Sequence, residues 1–149
     1  MLNGNDEGAQ AVDAVEELDQ FHVSVRHLFS DVENMAQQLY IENLRGLSLF
    51  ADHQLKAAID AHTRGEVLSE KLIELDAATQ YREKIAVNLT NLASLQFESG
   101  DLARALVSSK QAINLMVAEI EANPANQKIY HLAGLHAVSY THLTLPTKA

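Results

Sequence analysis

Asn91-Leu92-Ala93-Ser94-Leu95-Gln96-Phe97-Glu98-Ser99-Gly100-Asp101-Leu102-Ala103-Arg104-Ala105-Leu106 reads as two helices meeting at a tight Gly-Asp turn. Gly100 suits the left-handed backbone that closes a helix, and the Asp101 carboxylate suits the free N–H groups that open the next. Upstream, Ile85, Leu89, Leu92 and Leu95 or Gln96 share one side of a helix that Thr79 is placed to cap. Downstream, Leu102, Ala105, Leu106, Ala112, Ile113, Met116, Val117 and Ile120 form one broad face, with Ser109 in the stripe where a small residue lets a neighbouring helix approach. Asn123-Pro124-Ala125-Asn126 ends that helix and begins another, because proline is tolerated only in a helix's first turn.

The same period extends towards the N-terminus. Val12, Val15, Leu18, Phe21 and Val25 predict a helix from Ala9 to about Leu28, after a polar segment, 1–8, expected to be disordered. Ser30 and Glu33 form a capping box that opens a helix from Asp31 to about Phe50, burying some of Val32, Met35, Leu39, Ile41, Leu44 and Leu47. After a break at Asp52 or His53, a stripe of Leu55, Ala58, Ile59, His62, Gly65, Leu68, Leu72 and Leu75 predicts a third helix ending near Asp76. Only Pro124 and Pro146 interrupt the chain, so propensity and spacing agree on an all-α fold.

Composition narrows the function. The chain has 149 residues and a formal net charge of -9, with no basic run interleaved with aromatics, which argues against nucleic acid or an anionic membrane as partner. With no cysteine, thiolate metal sites and disulfides are excluded. No secretory signal or membrane-length apolar run is present, so a cytoplasmic location is expected. His22 and His27, like His131 and His136, are five residues apart, off the spacing that puts ligands on one helix face, so no metal is expected. Glu16-Glu17 and Glu119-Glu121 read as solvated helix faces, and no phosphate-binding glycine loop appears. No catalytic residues and no cofactor are therefore assigned, and the chain is expected not to be an enzyme.

A shift of 47 residues superposes Phe50 on Phe97, Leu55 on Leu102, Ala58 on Ala105, Ile59 on Leu106, Leu68 on Leu115, Ile73 on Ile120, Glu74 on Glu121 and Gln80 on Gln127. A helical hairpin cannot cover its own apolar face, so tandem copies stack and share it. The stretch from about Leu47 to Gly134 resembles the tetratricopeptide repeat family, in its longer-helix bacterial variants. Leu92-Ala93 stands where that family has Leu-Gly, Gly100-Asp101 matches its inter-helix turn, and Ala105 and Ala112 match its small packing residues. Gln96 and Ser109 depart from it where aromatics are usual, Pro124 comes late, and an earlier copy over 38–76 is degenerate, with Gly46 in the Ala93 place.

The resemblance implies a right-handed α-solenoid of tetratricopeptide-like hairpins over 38–136, preceded by an N-terminal helical segment, 9–37. It also implies a protein-protein interaction scaffold that holds a peptide or helical partner in a concave groove. Carried onto this sequence, the groove residues are Val87, Thr90, Asn91, Ser94, Phe97 and Glu98, with Asn91 offering an amide to a peptide backbone or terminus. The alternative is a regulatory repeat arm of a larger signalling protein or enzyme with its catalytic domain elsewhere; a third reading is a spacer or oligomerisation surface.

Residues 138–147, VSYTHLTLPT, lose both charge and helix spacing. Taken alone they read as a strand, which would have no ladder partner on an α-solenoid. They resemble the translation of a transposase sequencing adapter, so 137–149 is expected to be a non-native tail and the native chain to stop near His136, making the solenoid a truncated fragment. Met1 is read as a start that could lie inside a longer gene. An uncapped last hairpin would then expose Ile113, Met116 and Ile120 and promote self-association.

Overall fold

The computed structural model describes residues 4–144, which form six α-helices and one short 3-10 turn, with no strand among the described residues. They are α1 (Gly4–Val25), a 3-10 turn (Arg26–Leu28), α2 (Asp31–Ala51), α3 (Leu55–Glu74), α4 (Ala78–Glu98), α5 (Leu102–Ala122) and α6 (Gln127–Thr144). Each helix packs on the next in the chain, and α2 also touches α4, which in turn touches α6. The described residues thus form a repeat-like bundle of packed helices. Leu39, Leu72, Ile85, Ala86, Leu89, Ala112, Met116 and Ile129, drawn from α2 to α6, form one buried core.

Local chemistry explains the helix ends. At Ser30 the full capping box is present: the Glu33 N–H donates to Ser30 Oγ at 3.2 Å, and the Ser30 N–H donates to Glu33 Oε2 at 2.8 Å. The Ser30 N–H and the Ser30 Oγ–H both donate to Glu33 Oε2 and hold the Glu33 carboxyl below the usual range. Asp101 accepts from the Arg104 N–H at 3.2 Å, and Gly100 has φ +85, as its turn requires. The same turn recurs twice without glycine, at His53 (φ 60) and Asp76 (φ 54). In all three the residue after the left-handed one donates back across the turn at 2.9 Å, Gln54 to Leu49, Ala77 to Leu72 and Asp101 to Gln96. That is the bond that closes a Schellman turn.

Several expectations are corrected. Residues 4–8, expected to be disordered, form the first turns of α1: Asp6 and Glu7 complement the helix dipole, and Gly8 lies so close to α2 that a Cβ would sit 2.9 Å from Asp52 Cα. Residues 1–3 are outside the described range. The boundary drawn between 37 and 38 falls inside α2, a continuous helix packed on α1, α3 and α4. Thr79 does not cap α4, which begins one residue earlier at Ala78 after the third-helix turn, with a non-helical Tyr81 (φ -121, ψ 15) in its first turns. Leu18, Phe21, Leu47, Leu102, Leu106 and Val117 are exposed because each helix buries a narrower stripe than its apolar face.

The C-terminal hairpin is not uncapped. α6 covers α5, leaving Met116 1% exposed and Ile113 and Ile120 partly buried against the core beside Ile129. The expected exposed patch of Ile113, Met116 and Ile120 is therefore absent, since the segment after Asn126 docks on it. α6 also runs through 137–144, where the apolar spacing is not helical; extending a formed helix costs little per residue, and no proline intervenes before Pro146. The remainder of the proposed tail, 145–149, is outside the described residues.

Candidate functional site

The candidate groove lies between α2 and α4. A cavity of about 210 Å³ there is lined by Leu39, Tyr40 and Asn43 from α2 and by Glu83, Lys84 and Val87 from α4. The Lys84 ammonium sits over two tyrosine rings, 5.9 Å from the centroid of Tyr40 and 5.7 Å from that of Tyr81, a cation-π arrangement that holds a positive charge at the rim.

Of the six residues assigned from sequence, Val87 lines this cavity. Asn91 is half-buried, and its Nδ2 donates to Asn43 Oδ1 at 2.9 Å, so the amide expected to meet a partner is engaged by the neighbouring helix. Thr90 is half-buried with its hydroxyl turned back to the Ala86 carbonyl at 2.8 Å, and Ser94 bonds the Thr90 carbonyl at 3.1 Å. Phe97 is 50% exposed and Glu98 is exposed at the end of α4. Spacing therefore places Val87, Asn91, Ser94 and Phe97 along one stripe.

The sequence reading missed α2's half of the groove. Moving Val87 and Phe97 back by the 47-residue shift gives Tyr40 and Phe50, and both are exposed, as is Leu47 opposite Ser94 in the shifted register. The repeat itself was thus the signal that could have found Tyr40. Asn43 needs the structure, because it pairs with Asn91 and not with the residue that the shift assigns to it.

Behind the groove the hairpins interlock through buried polar groups. His62 is fully buried; its Nδ1–H donates to Asn88 Oδ1 at 3.0 Å, and Asn88 Nδ2 donates to the His62 carbonyl at 2.9 Å. Gly46 and Gly65 leave the room for this pair, since a Cβ at Gly46 would lie 2.3 Å from His62 Nε2 and one at Gly65 would lie 2.5 Å from Asn88 Oδ1. One hairpin later, His136 Nε2–H donates to the Ser109 carbonyl at 3.1 Å. His62 and Ser109 correspond under the 47-residue shift, so a polar side chain from the next hairpin caps a mid-helix carbonyl at the same place twice. Burial lowers both histidines' affinity for a proton.

α1 is tied to α2 through Arg45, which is 9% exposed and bonds Glu16 at 2.9 Å, Asp19 and Glu42. Burial opposes its charge, but these carboxylates outweigh burial and raise the guanidinium's pKa above its ordinary value. Among the described residues no cluster of three or more histidine, cysteine or acidic side chains is placed to hold a metal ion, and no helix is long and apolar enough to cross a membrane. No protein-family model matches the chain, and neither curated proteins nor solved structures give a match.

Proposed function

We propose that the chain from the start of α2 to His136 forms tetratricopeptide-like hairpins of a right-handed α-solenoid, and that it is a non-enzymatic scaffold that holds a peptide or a partner helix between α2 and α4. The observation that carries this reading is the periodic groove: Tyr40 and Val87 share its cavity at positions one repeat apart, and Phe50 and Phe97 are exposed at the corresponding ends of α2 and α4. An extended or helical segment laid along such a stripe gains affinity from a few apolar anchors, each contributing about 1–2 kcal/mol when well packed. Because Asn91 is bonded to Asn43, it acts first in holding α4 against α2, and offers a partner only what that bond leaves.

Panning a random-peptide phage library on the chain tests the proposal. Enriched peptides should bind the wild-type chain and lose roughly tenfold or more in affinity with Val87→Glu or Phe97→Ala, both at accessible positions whose change leaves the core intact. Absence of enrichment, or peptides indifferent to both substitutions, would refute the groove.

A further inference from the structure

A second cleft lies away from the groove, where the 3-10 turn after α1 meets α2 and α3. It is a shallow cleft, open to solvent, with a volume of about 580 Å³. Its apolar wall is Phe29, Met35 and Leu68, and its polar side is His22, Arg26, His27, Asp31, Asn34 and Gln38.

This wall is held in place. Asn34 Nδ2 donates to the Arg26 carbonyl at 2.9 Å and to the Phe29 carbonyl at 3.3 Å, which leaves its Oδ1 to accept from His22 Nε2–H at 3.2 Å. His22 is only 7% exposed, so the turn is anchored from within by a buried ring. The chain has five arginines, and four of them, Arg45, Arg64, Arg82 and Arg104, have carboxylate partners. Arg26 alone has none among the described residues, and it lines this cleft. Arg26 is exposed, and its guanidinium, with no carboxylate partner among the described residues of a chain with 20 acidic residues, offers a bidentate seat at the rim of the cleft.

From this juxtaposition of Arg26, His27 and the Phe29, Met35 and Leu68 wall we propose a binding site for a monocarboxylate bearing a compact apolar group. The carboxylate pairs with Arg26, and the apolar group covers Phe29, Met35 and Leu68. Asp31 on the same rim repels a second negative charge, so a phosphate monoester binds less well than a carboxylate of equal size. The source of the carboxylate is either a free organic acid or the C-terminus of a peptide ending in an apolar residue. The site is independent of the α2–α4 groove, and neither proposal depends on the other.

Titration of the whole chain with 4-phenylbutyrate, followed by methyl and aromatic NMR signals and by calorimetry, is the test. The acid should shift the signals of Phe29, Met35 and Leu68. 4-Phenylbutanol and phenyl phosphate should each bind at least about tenfold more weakly, and Arg26→Gln should weaken the acid by about the same factor. Asp31→Asn should strengthen binding by about threefold, a gain that a damaged fold cannot produce. N-acetyl-Leu-Phe compared with its C-terminal amide separates the sources: tighter binding of its free-acid form than of phenylbutyrate identifies a peptide terminus, and weaker binding identifies a small acid. Equal affinity for acid and alcohol, no effect of Arg26→Gln, or shifts confined to exposed apolar residues elsewhere would overturn the proposal.

Discussion

Gly46 and His62 fit each other as a cavity and its filling. A methyl group at 46 would collide with a ring that is fully buried and pinned by Asn88, so neither side can yield cheaply. The 47-residue shift turns this pair into Ala93 and Ser109, which gains one methyl group where it loses a ring. Gly46→Ala should therefore destabilise the chain by about 1–3 kcal/mol in urea unfolding, despite alanine's better helix propensity. In the His62→Ser background the same substitution should cost far less, with a coupling of about 1 kcal/mol or more. Additive effects would show that the two residues do not oppose each other. The sequence revealed that Gly46 stands in the Ala93 place and that His62 lies in an apolar stripe. It could not reveal that one makes room for the other, because that depends on how α2 and α3 are rotated about their axes.

At the scale of elements, α2, α3 and α4 end in the same turn, and only one of the three uses glycine. The left-handed conformation costs an L-residue about 1–2 kcal/mol, and His53 and Asp76 adopt it because the Gln54-to-Leu49 and Ala77-to-Leu72 bonds and the packing of the following helix impose it. His53→Gly should raise stability by roughly 0.5–1 kcal/mol, less than the full strain because glycine loses more freedom on folding. A higher urea midpoint with an unchanged slope is the expected result, and a lower midpoint would show that His53 makes contacts of its own. The Ser30 box and the Gly100-Asp101 turn were legible because those residue types are specialists. The His53 and Asp76 turns were legible only as breaks, since nothing in either side chain demands positive φ, and Thr79 misled because a residue suited to capping stands at the second position of a helix that starts at Ala78, directly after the Asp76 turn.

For the whole molecule, the buried histidines make the interfaces between hairpins sensitive to acid. His62 links α3 to α4 and His136 links α6 to α5, and burial depresses the folded pKa of both below 6.5. A depressed histidine pKa means that the unfolded chain binds the proton more readily. Their stabilising contribution is complete above about pH 6.5 and is lost as pH falls from there through the folded pKa. Glu66 acts in the opposite sense and at lower pH: burial and the neighbouring Glu70 raise its pKa, so protonation near and above pH 4.5 favours the folded state. Unfolding free energy should thus fall between pH 7.5 and 5.5, with a shallower decline in His62→Ser than in wild type. An equal slope in both would remove His62 as a contributor.

The sequence by itself determined the helices, most of their ends and the 47-residue period, because these depend on propensity, spacing and side chains adjacent in the chain. It also nominated Val87, Asn91 and Phe97. Only the tertiary structure decided that Asn91 bonds its amide to Asn43, that α6 closes the face of Ile113, Met116 and Ile120, and that Arg26 lines an apolar cleft with no carboxylate partner among the described residues. Those outcomes depend on the rotation and separation of helices far apart in the chain. Heptad-like spacing gives a helix its apolar side, but it does not specify which neighbour's polar groups will meet it there.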